Sequence, residues 1–109
     1  MSSKIAVIIP AYNASQTITE LIEKIQGEVP ALDIIVIDDG SQDETFVLAK
    51  NSKAIVIQHQ INKGKGEALK TGFKYAKTKN YAYLITVDAD LQHDPGYLKD
   101  FLGKVKSNK

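Results

Sequence analysis

The chain has 109 residues, 43% of them hydrophobic and 25% charged, an ordinary composition for a single soluble globular domain. It has no cysteine, which excludes a disulfide frame and cysteine metal sites and fits a reducing compartment. Its net charge of +1 argues against non-specific nucleic-acid binding, and no apolar run nears the roughly 18 residues of a membrane span.

Lys4 is followed by five apolar residues and then Pro10, too short a run for a secretory signal. Residues 4–9 read instead as a buried strand, broken by Pro10-Ala11-Tyr12-Asn13. Thr17 and Glu20 have the spacing of a capping box. Ile18, Leu21, Ile22 and Ile25 then share one face of a first helix, which Gly27 and Pro30 stop. Residues 33–37, rich in Ile and Val, form a second strand. Asp38-Asp39-Gly40-Ser41 reads as a turn, and Asp43 caps a short second helix reaching about Asn51. A third strand covers residues 54–58, followed by the flexible loop Asn62-Lys63-Gly64-Lys65-Gly66. A third helix sets Leu69, Phe73 and Ala76 on one face. Residues 81–87 form a fourth strand, and Pro95 opens a last helix that ends near Val105. The polar tail, residues 106–109, frays.

Strands alternating with helices imply an α/β fold with a parallel sheet. In such sheets ligands bind beyond the carboxyl ends of the strands, at a switch point. Here those ends carry Tyr12 and Asn13, Asp38 and Asp39, residues 59–63, and residues 88–94. Polar and charged groups therefore gather on one rim. The charge distribution adds to this picture. Residues 50–79 hold eight lysines and one acid, Glu67, a local charge of +7 that leaves −6 for the remainder. Most of these lysines read as a solvated helix face; Lys63 and Lys65, beside glycines in a loop, invite a phosphate-facing role.

Asp88-Ala89-Asp90 ends the fourth strand. Two carboxylates one residue apart repel each other unless a cation lies between or beside them. Positions i and i+2 of a strand point to the same side, so both can serve one pole of a site. Such hard oxygen ligands suit Mg²⁺ or Mn²⁺, with a carbonyl oxygen added by Gln92. In Asp38-Asp39 one carboxylate can accept a hydrogen bond from a base N–H or a ribose hydroxyl, and one can hold the turn. Tyr12 can stack on a base. His59 and His93 read as bystanders. Three decoys fall away. Residues 66–71 resemble a phosphate-binding loop but lack the glycine before lysine and lie within the helical pattern. No G-x-G-x-x-G follows the first strand. Residues 88–99 start like a calcium loop, but His93 replaces its glycine and Lys99 its terminal Glu.

Four segments in order, Val7-Ile8-Ile9-Pro10-Ala11-Tyr12-Asn13, Ile35-Val36-Ile37-Asp38-Asp39-Gly40-Ser41, Asn62-Lys63-Gly64-Lys65-Gly66 with Ala68 and Gly72, and Asp88 through Pro95, resemble the family 2 glycosyltransferases. The last looks most like the branch that moves sugars onto polyprenyl phosphates. The resemblance covers nearly the whole chain. It implies the N-terminal, Rossmann-like part of a GT-A fold over residues 1–109, with the DXD motif of that fold. It implies that Pro10 and Tyr12 line the nucleotide base, Asp39 hydrogen-bonds it, and Asp88 lies near ribose, sugar or metal. It also implies that Asp90 with Gln92 holds Mg²⁺ or Mn²⁺ on the pyrophosphate. The implied nucleotide-sugar site comprises Pro10, Ala11, Tyr12, Asp39, Lys63, Gly64, Asp88, Ala89 and Asp90, with Asp88, Asp90 and Gln92 as metal ligands.

The implied partners are a nucleotide-sugar donor and a lipid-phosphate or sugar acceptor. The implied setting is cytoplasmic, at the cytoplasmic membrane face in a full-length enzyme. The implied chemistry of a complete enzyme is direct displacement at the anomeric carbon. Ala14 departs from the family, which usually has an acid there, and Asp94 stands where proline is common in that branch. The acceptor half and the catalytic base of the family have no counterpart in these residues. The resemblance therefore implies a truncated domain that binds donor without transferring it, with a fourth-strand edge open to self-association. The alternatives are a nucleotide-binding module without transfer activity and a receiver-like phospho-acceptor domain. The latter needs a lone Asp after the third strand, where this chain has Gln58-His59-Gln60.

Overall fold

The computed structural model describes residues 5–89. Asp90, Gln92, His93, Asp94, the helix expected over 95–105 and the tail 106–109 lie outside the described residues. Seven elements follow in order: β1 (Ile5–Ala11), α1 (Ile18–Glu28), β2 (Asp33–Asp39), α2 (Thr45–Asn51), β3 (Ile55–His59), α3 (Lys65–Lys77) and β4 (Tyr83–Thr86). The strands form one parallel sheet in the order β3-β2-β1-β4. This is the parallel α/β arrangement that the alternation of strands and helices implies.

Strand periodicity sorts the core into two layers. Val7, Ile9 and Ala11 of β1 join Ile18, Leu21, Ile22 and Ile25 of α1 and Ala49 of α2 on one face. Ala6 and Ile8 join Ile35, Ile37 and the α3 residues Ala68 and Ala76 on the other. The four α1 residues are fully buried, as their spacing predicts, and each contributes roughly 1.5–3 kcal/mol. On α3 the predicted face is displaced. Its buried residues are Ala68, Gly72 and Ala76, Leu69 is only partly buried, and Phe73 is 43% exposed. The displacement has a steric cause: a Cβ on Gly72 would stand 2.6 Å from Ile8 Cγ2. The helix lies against the sheet too closely for anything larger.

Several element ends also move. The chain stays in β1 through Pro10 and Ala11, which pair with Ile37 and Asp38 of β2. β2 likewise runs through Asp38 and Asp39, so both acids sit on a strand end instead of in a turn. α1 continues through Gly27, α2 starts at Thr45, and Lys65 and Gly66 belong to the first turn of α3. The capping box does not form. Thr17 makes no side-chain cap, and its hydroxyl donates instead to the carbonyl of Ala89 at 2.6 Å.

The chain steps outward from β1 to β2 to β3, then returns through α3 to place β4 on the other side of β1. The switch point therefore lies between β1 and β4. Pro10 opens a crevice there. The last bond of the β1–β4 ladder runs from Val87 N–H to the carbonyl of Ile8 at 3.1 Å. The next donor on that edge of β1 is the nitrogen of Pro10, which carries no hydrogen. Pairing between the two strands ends at Ile8 and Thr86, while β1 and β2 stay paired to Ala11 and Asp38.

Candidate functional site

Two loops frame one wall of the crevice, and side chains lace them together. Asn13, with φ of 50°, donates its N–H to Ser41 Oγ at 2.8 Å and accepts the Gln42 N–H on Oδ1 at 2.8 Å. The Ala14 N–H donates to Thr45 Oγ1 at 2.8 Å and that of Ser15 to Asp43 Oδ2 at 3.2 Å. Asp43 also receives the Thr45 N–H at 3.0 Å, together with the Thr45 hydroxyl, from one position before Glu44, which is the N-cap residue of α2 in place of the expected Asp43. Partial burial works upward on the Asp43 pKa, but these bonds from Thr45 and Ser15 outweigh it and hold the carboxyl down at about 2.

The paired acids divide their work. Asp38 is fully buried and structural: Oδ1 accepts the Ser41 N–H at 3.1 Å and Oδ2 accepts Gln58 Nε2 at 3.2 Å. Asp39, 3% exposed, turns to the other side. Its Oδ1 takes His59 Nδ1 at 2.7 Å and the Lys63 N–H at 2.9 Å, and its Oδ2 takes the Gly64 N–H at 2.8 Å. Burial alone would raise its pKa. The His59 hydrogen bond, the two backbone donors and the charge attraction of His59 together pull it below the ordinary carboxylate value. Two glycines permit this wrap. Gly64 has φ of 99°, and Gly40, at φ 72°, abuts the backbone of Ile61 and Asn62, where a Cβ would collide.

The crevice has two adjoining lobes of about 550 and 280 Å³. Pro10, Tyr12, Lys65 and Asp88 border both. The larger runs along residues 13–17 toward Ala89; the smaller reaches Ala11, Asp39 and Gly64. Tyr12 is 48% exposed, with its ring available to a planar ligand. Asp88 is half-buried and ion-paired to Lys65 Nζ. The Thr17 hydroxyl anchors the Ala89 backbone, next to Asp88, to the start of α1, and the Ala89 side chain is buried in the core. Among the described residues no three His, Cys, Asp or Glu side chains group as a metal site.

Of the residues proposed from sequence, Pro10, Ala11, Tyr12, Asp39, Gly64, Asp88 and Ala89 all border this crevice. Lys63 contributes its backbone N–H to Asp39, and Lys65 is the lysine that reaches the crevice. The other lysines of residues 50–79 are exposed, as a solvated face requires. Asp90 and Gln92 lie outside the described residues. Sequence reasoning missed His59, which is buried and bonded at both ring nitrogens. The available signal was positional: Asp39 and His59 end adjacent parallel strands and are register partners.

The parallel sheet, switched between β1 and β4 with its polar rim at the strand ends, matches solved GT-A glycosyltransferases. Glucosyl-3-phosphoglycerate synthase from Mycobacterium tuberculosis, solved with Mn²⁺, UDP and glucosyl-3-phosphoglycerate, superposes with a TM-score of 0.76 at 28% identity over 95% of this chain and 40% of that one. The Glycosyl transferase family 2 profile matches residues 6–109, and the chain belongs to that family. It is 36% identical to the UDP-N-acetylglucosamine–dolichyl-phosphate N-acetylglucosaminyltransferase of Methanococcus voltae over 84% of this chain and 43% of that protein. It is 32% identical to the polyprenol monophosphomannose synthase of Mycolicibacterium smegmatis, over 91% and 40%. The chain thus spans less than half the length of these curated relatives. Among the described residues no helix is long and apolar enough to cross a membrane.

Proposed function

We propose that residues 1–109 form the donor-binding part of a glycosyltransferase that takes a nucleoside-diphosphate sugar with Mg²⁺ or Mn²⁺. In the whole protein the sugar passes to a polyprenyl phosphate at the cytoplasmic membrane face. One observation carries the reading: the crevice at the β1–β4 switch point gathers Tyr12, Asp39, Lys65 and Asp88. Tyr12 stacks on the base, against Pro10 and Ala11. Asp39, an anion with backbone donors around it, accepts a ring N–H from the base. Lys65 offers its ammonium to the diphosphate, exchanging the carboxylate of Asp88 for phosphate oxygens. Asp88 fits a divalent ion chemically, being a hard oxygen ligand whose charge already draws a cation, Lys65. With Asp90 and Gln92 it would hold that ion, which when bound neutralises charge on the leaving diphosphate.

The acceptor assignment draws on the relatives named for dolichyl-phosphate and polyprenol-phosphate transfer. A phosphate oxygen of such an acceptor is nucleophilic enough to displace the diphosphate with little help from a base. The span of less than half the relatives' length favours a second reading for these 109 residues alone, donor binding without transfer. Calorimetry of UDP and GDP with and without Mn²⁺ tests the first reading. Each partner should tighten the other by the same factor. Absence of binding by any nucleoside diphosphate at millimolar concentration overturns it. Turnover with a polyprenyl phosphate acceptor overturns the second reading.

A further inference from the structure

We infer that His59 is a positioning residue for nucleobase recognition: it clamps the Asp39 carboxylate so that one acceptor site faces the crevice. The inference rests on the donor-site reading above. A carboxylate has about four lone-pair sites. Three of those on Asp39 are taken, two on Oδ1 by His59 Nδ1 and the Lys63 N–H, and one on Oδ2 by the Gly64 N–H. The fourth belongs to Oδ2, and Asp39 borders the smaller lobe beside Pro10, Tyr12 and Gly64. A single acceptor site there suits a base with a ring N–H, such as uracil or guanine. In neutral cytosine and adenine the ring nitrogen at that position only accepts and repels an anion, and the neighbouring amino group, which can donate, has to shift out of the register that a ring N–H occupies to reach the same oxygen.

The ring of His59 is held from both sides. Nδ1 carries the hydrogen toward Asp39, because an ionised carboxylate only accepts. Nε2 lies 2.8 Å from Thr71 Oγ1, which in turn lies 3.1 Å from the carbonyl of Glu67. The Thr71 hydroxyl serves either form of the ring. It donates to Nε2 of the neutral imidazole, or it accepts from the imidazolium and passes its own hydrogen to Glu67. His59 therefore ties the end of β2 to the second turn of α3, and the carboxylate cannot rotate without breaking a buried bond. Glycine-loop donors alone would leave Oδ1 anchored only by an exposed loop.

The test compares UDP with CDP by calorimetry in the presence of Mn²⁺, on the wild type, His59→Leu and His59→Asn. Asparagine places an amide donor where Nδ1 stands; leucine fills the space without one. Wild type should prefer UDP by about tenfold or more, the factor of one hydrogen bond to a charged group. His59→Leu should lose most of that preference, and His59→Asn should recover most of it. If wild type shows no preference, the donor-site reading of Asp39 fails. If wild type discriminates and His59→Leu discriminates equally, the role of His59 fails even if both affinities drop. Should His59→Leu not fold, Thr71→Val removes the outer partner of the ring, and an unchanged preference in that variant overturns the inference.

Discussion

Replacing Asp39 with asparagine would test how much of the fold depends on the buried carboxylate. The amide has one acceptor oxygen and one NH₂ group. Its better orientation keeps the oxygen on His59 and Lys63 and turns the NH₂ toward the Gly64 N–H, setting two buried donors against each other. An unsatisfied buried donor costs about 1–3 kcal/mol, and each remaining bond loses roughly 1 kcal/mol with the charge. Relaxation of the Lys63–Gly64 loop returns part of this, so the expected loss is roughly 3 kcal/mol. For a domain of this size that lowers the melting temperature by roughly 12 °C or more. Urea unfolding followed by circular dichroism, with an unchanged m-value, measures it. A loss below about 0.5 kcal/mol at neutral pH would refute the reasoning, since that is the scatter of ordinary surface changes. The effect also depends on pH. The folded pKa of Asp39 lies below the ordinary value, so its contribution is complete above about pH 4 and fades as pH falls through the folded value. The gap between wild type and variant should therefore narrow in acid.

Three further outcomes are expected. Lys65→Gln should weaken nucleoside diphosphate binding by about tenfold while leaving the melting temperature within about 2 °C, because the side chain is largely solvent-exposed; calorimetry with a melt on the same sample checks both. Asp90→Asn should abolish most of the mutual tightening between Mn²⁺ and nucleotide, and a metal dependence that survives would remove Asp90 from the ligand set. Among the described residues β4 ends the sheet on one side, with Tyr83 and Leu84 exposed, so self-association through it is expected of the 109-residue chain; light scattering that shows a monomer at high concentration contradicts this.

The sequence was most legible where one physical signal dominated. Runs of Ile and Val marked the first three strands, and the spacing of Ile18, Leu21, Ile22 and Ile25 marked the buried face of α1. The rim location of Tyr12, Asp39 and Asp88 followed from strand order alone. What escaped depended on pairs distant in sequence. Phe73 was drawn into the α3 face by its hydrophobicity, yet the space beside Ile8 admits only small residues. Thr17 has the spacing of a cap, but the carbonyl of Ala89, 72 residues away, takes its hydrogen. His59 carried no local pattern at all, and its value appears only when β2 and β3 are laid in register.

The lacing of Asn13, Ala14 and Ser15 to Ser41, Gln42, Asp43 and Thr45 bears on how the crevice meets a ligand. A loop that orders only on binding gives up about 0.5–1.5 kcal/mol for each mobile side chain it immobilises. Here that entropy is lost when the chain folds, because the two loops are already one body. A nucleotide entering beside Tyr12 therefore meets a wall whose shape precedes it. Ordering of these two loops therefore adds little to the cost of binding.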